Sequence, residues 1–230
     1  MILQKLIPPV TLLLTTLLLA PEVFGHNVSP SNASFIEALD GPAVFPFMYL
    51  GAKHMVTGID HLLYLLGVVF FLVRVKDIVL FVSLFTLGHS MTLIAGVAFA
   101  VEANVWLVDA IIGLSIVYKA FENLGGFDAV FGASINPAVA VFGFGLVHGL
   151  GLATKLQAMT LSSEGLITNL ISFNVGVEIG QLVALFVAVL VLFRLRHRLN
   201  YEFEAIQANT LLMTAGFLLA GYQLTGYFLT

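Results

Sequence analysis

The sequence predicts an all-α protein: a polytopic bundle of six transmembrane helices that follows an N-terminal signal peptide. The first observation is composition, since 60% of the 230 residues are hydrophobic and only 10% are charged, whereas a typical soluble domain has about 25% charged residues. The second is that the apolar residues fall into six long spans. With a mean hydropathy of +1.04, the chain has more apolar surface than a soluble core can bury, so we expect lipid to surround it.

The N-terminal segment has the pattern of a secretory signal peptide. Lys5 precedes a short apolar run over residues 10–20, and Val23 and Gly25 are small residues of the kind found before a cleavage site. We therefore predict a signal peptide over residues 1–25, cleaved after Gly25, and an extracytoplasmic segment over residues 26–43. The alternative is an uncleaved anchor helix.

The remaining residues, 44–230, form the predicted six-helix transmembrane domain. A bilayer-spanning helix needs roughly 20 predominantly apolar residues, and the spans cover residues 44–73, 77–101, 104–122, 137–157, 167–193 and 208–229. Arg74, Lys76 and the basic cluster at 194–198 follow the first and fifth spans. Because short cytoplasmic loops are rich in Lys and Arg, we predict a bacterial inner-membrane protein with both termini outside.

Several functional classes are excluded by what the sequence lacks. The net charge of −4 is spread thinly and forms no basic patch, so nucleic acid is not a partner. The chain has no cysteine, which rules out disulfides, iron–sulfur clusters and thiolate metal sites. It also has no nucleotide-binding loop. The lipid bilayer is the expected surrounding, and the oligomeric state is left open, including a homo-oligomer.

Four of the six spans carry ionisable residues near the predicted membrane midplane. A charged side chain there costs about 2.5–3.5 kcal/mol even on the lenient insertion scale, so residues at matched depth are expected to face one interior site. His54 and His61 are seven residues apart, which places them about 20° apart on one helix face. The candidate metal ligands are His54, Asp60 and His61 in the first span, His89 in the second, His148 in the fourth and Glu178 in the fifth.

Small polar residues and glycines surround these candidate ligands. Thr86 and Ser90 lie close to His89 in the sequence, and Asn174 and Gln181 lie close to Glu178, so these four are candidate supporting residues. Glycines also bracket His148 and Glu178. They either allow close packing of helices or allow helices to bend and expose backbone carbonyls, and the sequence leaves both readings open.

Histidines and carboxylates in a membrane support more than one chemistry. Neutral imidazole suits nickel, cobalt, zinc and copper, and a carboxylate balances the charge or accepts a hydrogen bond from a ligating imidazole. The same residue types build proton relays. A heme held by two of the midplane histidines, or metal-dependent hydrolysis of a membrane substrate, are further alternatives, although the His-Glu-x-x-His motif of many metalloproteases is absent.

Four sequence blocks resemble the HupE/UreJ family, in its shorter, UreJ-like branch. They are "HMVTGIDHLLYLLG", "FTLGHSMTL", "FGLVHGLGLA" and "FNVGVEIGQ", which occur in the family's order between Gly51 and Gln181. The resemblance implies six or seven transmembrane helices, often a signal peptide, and secondary transport of nickel, or of cobalt in some members, rather than an enzymatic activity. It implicates His54, Asp60, His61 and His148 in metal binding.

These observations together predict a permease whose substrate is a divalent transition-metal ion, with nickel or cobalt favoured and zinc and copper also compatible. The hypothesis is that the ion passes His54, exchanges water for the imidazoles of His61, His89 and His148, and is balanced by Asp60 and Glu178. Helices hinged at the glycines would then open the other side of the membrane.

Overall fold

The computed structural model describes residues 39–157, 164–196 and 201–230. These residues are helical with short connections and contain no strand, so the predicted all-α class is confirmed. The predicted signal peptide lies outside the described residues, as does most of the segment over 26–43. The helices are α1 (Val44–Thr57), α2 (Ile59–Val69), α3 (Val75–Ala98), α4 (Val105–Asn123), α5 (Gly126–Phe131), α6 (Pro137–Gln157), α7 (Leu166–Arg196) and α8 (Tyr201–Leu229).

The first predicted span is two helices rather than one. The helix α1 ends at Thr57, Gly58 has an extended backbone with φ −74° and ψ 97°, and α2 begins at Ile59. The amide of Gly58 still donates to the carbonyl of His54 at 2.8 Å. The amide of His61 donates to the side chain of Asp60 at 2.9 Å, since the break removes its helical acceptor. The expectation of one continuous helix over 44–73 was wrong because an apolar run does not reveal a break at a single glycine.

The bundle is assembled from closely packed helix pairs, chiefly α1 with α7, α3 with α6 and α4 with α8. Glycines make the first two pairs close. A Cβ atom added to Gly145 or Gly149 on α6 would overlap the backbone of α3, and one added to Gly176 on α7 would overlap the backbone of α1. Close approach of backbones at small residues is typical of membrane helices. These glycines therefore act as packing positions, and the break in the bundle's helices that borders the candidate site is at Gly58.

Four helices of the described chain are long and apolar enough to cross a membrane: Val75–Ala98, Pro137–Gln157, and the segments Leu166–Arg194 and Glu202–Leu229. Large apolar side chains such as Phe186 and Phe228 are exposed on the outside of the bundle, as expected for contact with lipid. The chain is thus a membrane protein. The other two predicted spans differ for physical reasons, because the first is divided at Gly58 and the third carries Asp109, Lys119 and Glu122. The total of six spans stays a prediction.

The glycine-rich segment after α4 is partly helical. The short helix α5 lies between Gly125 and Gly132, which both adopt left-handed backbone conformations with φ of 72° and 69°. Glycine adopts this conformation without the steric penalty of a Cβ. Residues 123–136, which lie between the third and fourth predicted spans, therefore contain one short helix.

Candidate metal centre

Three histidines from three successive helices meet in the interior of the bundle. His54 comes from the last turn of α1, His61 from the first turn of α2 and His89 from the middle of α3. Each offers one ring nitrogen, and the three nitrogens lie within 4.8 Å of one another. His61 and His89 are completely buried, and His54 is partly buried. The break at Gly58 lets α1 and α2 each contribute a histidine to the same place.

The spacing of these imidazoles is close to that of a metal site. The ring centroids of His54 and His61 are 5.1 Å apart, and those of His61 and His89 are 6.0 Å apart. Two nitrogens bound to one ion at about 2.1 Å can be at most about 4.2 Å apart. Ring movements of less than an ångström would bring the three nitrogens from their present separations to bonding distance.

The carboxylate of Asp60 orients His61. Its Oδ1 atom lies 3.1 Å from Nδ1 of His61 and also accepts the backbone N–H of His61. When Nδ1 carries the proton and donates it to this carboxylate, the lone pair available to a metal is on Nε2. A carboxylate in this position fixes the tautomer of a ligating imidazole and increases its basicity. Asp60 thus has the geometry of a positioning residue.

Gly58 provides the space for the pairing of Asp60 and His61. A Cβ atom at this position would lie 2.8 Å from Nδ1 of His61 and 3.3 Å from Oδ1 of Asp60. It would also lie 3.0 Å from the carbonyl oxygen of His54. Any larger residue would therefore displace the groups that form and orient the site. Gly58 both breaks the helix and leaves room for the imidazole.

His148 lies beside the three-histidine group without being part of it. Its ring centroid is 4.8 Å from that of His61, and its Nε2 atom is 3.3 Å from the hydroxyl of Ser115 on α4. The rings of Phe85 and Tyr64 pack against it at 5.0 Å and 5.6 Å. His148 is completely buried. Among the histidines of the described chain, its ring centroid is the nearest to that of His61.

Glu178 is not brought together with the histidines. Its side chain is exposed on the outside of α7, between buried Val177 and exposed Ile179. Gly176 and Gly180, two residues on either side, pack against α1. A residue midway between two such positions points about 160° away from each of them around the helix, so α7 turns Glu178 away from the bundle. The depth of Glu178 in the sequence suggested a place beside the histidines, but the rotation of α7 puts its side chain on the outside of the bundle.

The four predicted supporting residues pair with one another across α3 and α7. The hydroxyl of Thr86 donates to Oε1 of Gln181 at 2.7 Å, and that of Ser90 donates to Oδ1 of Asn174 at 2.9 Å. These two bridges lie on either side of His89 in the sequence of α3. They fix α7 against the helix that carries His89. Neither ring nitrogen of His89 makes a hydrogen bond of ordinary geometry within the described chain, although Asn174 is near enough to interact with it.

Comparison with known proteins identifies the family of this chain. The family model described as "HupE / UreJ protein" matches residues 31–230. The chain belongs to the HupE/UreJ family. No curated protein and no solved structure gives a significant match. The family is associated with transport of metals rather than with catalysis, so membership together with the membrane helices supports a general role in metal transport.

The structure of this HupE/UreJ chain also shows a buried ion pair that the sequence interpretation missed. Nζ of Lys155 on α6 lies 2.8 Å from Oδ2 of Asp109 on α4, and both side chains are largely buried. Lys155 is seven residues after His148, which places it on the same face of α6. It interacts electrostatically with His54, and Asp109 interacts with His61. Charged residues inside predicted spans three and four were the available signal.

The site therefore has two ends, which we call the His54 side and the Tyr64 side. Along α1 and α2, His54 precedes His61 by seven residues and Tyr64 follows it by three. The pair of Asp109 and Lys155 lies on the His54 side. On the Tyr64 side, the ring of Phe144 packs against Tyr64 at 5.7 Å and against Tyr118 of α4 at 5.2 Å. Polar groups of α4 are thus present on both sides of the histidines.

Proposed function

We propose that the protein is a secondary permease for a divalent transition-metal ion, with nickel or cobalt as its substrate. The observation that carries the proposal is the convergence of His54, His61 and His89 from three helices, with ring nitrogens within 4.8 Å of one another. Family membership supports metal transport in general. The three imidazoles, which come from three helices, support the proposal that the ion binds in this part of the bundle.

The donor set favours borderline divalent metals. Imidazole nitrogen suits nickel, cobalt, zinc and copper, and a chain without cysteine offers no thiolate for a soft monovalent ion. Zinc and copper(II) therefore fit the same donors, and the family association makes nickel and cobalt the preferred substrates. His148, at one ring's distance from His61, is proposed as the ligand that receives the ion next.

The proposed direction of transport follows from the orientation predicted by the basic loops. In that orientation, within the bacterial inner membrane, the His54 side of the site faces outward and the Tyr64 side faces the cytoplasm. The inside-negative potential favours entry of a cation by about 2.3 kcal/mol per charge per 100 mV, and a divalent ion carries two charges. The sequence has no nucleotide-binding loop, so the proposed driving force is an ion or potential gradient, with a separate partner ATPase as the alternative.

Uptake into liposomes tests the proposal. Purified protein is reconstituted, and uptake of Ni²⁺, Co²⁺, Zn²⁺ and Mn²⁺ is compared for the wild type, His61→Ala and Glu102→Gln. Glu102 is an exposed acid outside the site and serves as the matched control. We expect uptake of Ni²⁺ or Co²⁺ by the wild type and the control, and its loss in His61→Ala.

Two results would overturn the proposal. One is uptake by His61→Ala at the wild-type rate. The other is purified protein that has an intense visible absorption band and gives no ion flux. That result would favour a protein that binds heme between its helices.

A further inference from the structure

A second buried ion pair lies on the Tyr64 side of the histidines. Nζ of Lys119 lies 2.5 Å from Oε2 of Glu122, three residues further along α4, and each side chain is 12% exposed. The stem of Lys119 packs against α2 at Gly67, where an added Cβ would lie 3.2 Å from Cγ of Lys119. Burial of two charges costs several kcal/mol per ion before their attraction offsets it. A largely buried pair of this kind is weak evidence of a purely stabilising role.

Two oxygen atoms beside this ion pair have no hydrogen-bond partner in the described chain. They are the second carboxylate oxygen of Glu122, Oε1, and the hydroxyl of Tyr118, and both are buried. The two residues are four apart, so they are neighbours on the surface of α4, and they interact electrostatically. A buried oxygen without a partner costs about 1–3 kcal/mol, a cost that a bound cation would offset.

The position of these oxygens continues the line of the histidines. Tyr64 packs against His148 at 5.6 Å between ring centroids and interacts electrostatically with Glu122 and Tyr118. Tyr118 is three residues after Ser115, the residue that contacts His148. Tyr64, Tyr118 and Glu122 therefore lie beyond His61 and His148, on the side away from His54.

We propose that Glu122 and Tyr118 form a second, weaker binding position for a divalent cation, which the ion occupies after the histidines. The inference rests on the proposed transport function. Lys119 neutralises Glu122 in the absence of the ion and competes with the ion when it is present. Oxygen donors hold nickel and cobalt less tightly than imidazole does, so transfer from nitrogen to oxygen donors, with an ammonium group competing, favours release.

The test uses Mn²⁺, which prefers oxygen ligands, with full-length protein in lipid nanodiscs. The background variant His61→Ala/His89→Ala removes two of the three central imidazoles. Binding of Mn²⁺ is measured by the loss of the free-ion electron paramagnetic resonance signal. We expect Mn²⁺ to bind to the background variant and its affinity to fall at least tenfold with Glu122→Gln. Asp128→Asn, an exposed acid on α5, should leave the affinity unchanged.

Lys119→Met separates the proposal from a purely structural ion pair. Removal of a competing charge a few ångströms from the ion should tighten Mn²⁺ binding by about tenfold, whereas a structural pair predicts no gain. Tyr118→Phe, which keeps the aromatic packing, should weaken binding even if Glu122→Gln does not fold. The proposal is overturned if neither Glu122→Gln nor Tyr118→Phe weakens Mn²⁺ binding, or if Lys119→Met weakens it.

Failure of this inference is distinguishable from failure of the proposed function. Binding of Co²⁺ at the histidines gives a visible ligand-field spectrum in otherwise wild-type protein. If that spectrum and Ni²⁺ uptake are present while Glu122→Gln and Tyr118→Phe leave Mn²⁺ binding unchanged, only the proposal of a second site is wrong. If the spectrum and uptake are absent, the histidine permease itself is wrong.

Discussion

Nδ1 of His61 lies 3.1 Å from Oδ1 of Asp60, the residue directly before it in the chain. The pairing is possible because both residues are in the first turn of α2, where an acidic side chain is favoured by the helix dipole and accepts a backbone N–H. One carboxylate oxygen therefore accepts a backbone N–H at the start of the helix and also contacts the imidazole ring.

Replacement of Asp60 by Asn should lower metal affinity without removing a central imidazole. Loss of an outer-shell partner typically costs 10–100-fold in affinity, and we expect a decrease of about that size for Ni²⁺ by isothermal titration calorimetry. Glu102→Gln removes an exposed charge of the same sign and should leave the affinity unchanged. An Asp60→Asn variant with wild-type affinity would contradict the orienting role.

Gly58→Ala should weaken metal binding by displacing His61. The added Cβ would meet Nδ1 of His61 at 2.8 Å and the carbonyl oxygen of His54 at 3.0 Å, so the imidazole has to move. We expect a decrease of at least tenfold in Ni²⁺ affinity by calorimetry. The matched control is Gly143→Ala on α6, where an added Cβ has nothing within 4 Å. Because Gly143 is in a helix interior, Gly143→Ala should stabilise the protein by roughly 0.5–1 kcal/mol. Equal behaviour of the two variants would refute the steric argument.

The pair of Asp109 and Lys155 should be strongly coupled. Removal of one partner of a buried ion pair costs about 3–5 kcal/mol, because it leaves the other charge buried without compensation. We expect Lys155→Met and Asp109→Leu to reduce the free energy of unfolding, measured by denaturant titration in mixed micelles, by about that amount each. The double variant should lose less free energy of unfolding than the two single variants lose together. Simple additivity would show that the two charges do not depend on each other.

Glu178→Gln should leave metal affinity within about twofold of the wild type, since surface substitutions away from a site have small effects. The exposed side chain on the outside of α7 makes this the sharpest contrast with His61→Ala, which should abolish high-affinity binding. Both are read by Co²⁺ titration with optical detection. A large loss of affinity in Glu178→Gln would mean that α7 rotates when the ion binds.

The sequence indicates the depth of a residue in the membrane more directly than the side of the helix on which the residue lies. Apolar spans indicate the depth of a residue, and of the residues expected at one interior site the structure brings His54, His61 and His89 close to one another. The face of Glu178 depends on the rotation of α7, which the packing of Gly176 and Gly180 against α1 determines. Their spacing around Glu178 was visible in the sequence, but it gave no sign that α1 was the partner.

Two other features required contacts between distant parts of the chain. The break at Gly58 was not predicted, because a glycine in an apolar run is compatible with a helix and with a bend. Asp109 and Lys155 are 46 residues apart, and each alone resembles an isolated charge near the end of a span. Only the packing of α4 against α6 shows that they form one pair.

The division of the first span at Gly58 has a mechanical consequence. Helix α1, with His54, is packed against α7, whereas His89 belongs to the pair of α3 and α6, and His61 is on the separate short helix α2. The three nitrogens thus belong to three different helices. A shift of one of these helices by an ångström would change how many donors reach the ion, so the coordination number depends on the arrangement of the helices. The affinity for the ion would therefore report on the relative positions of these helices.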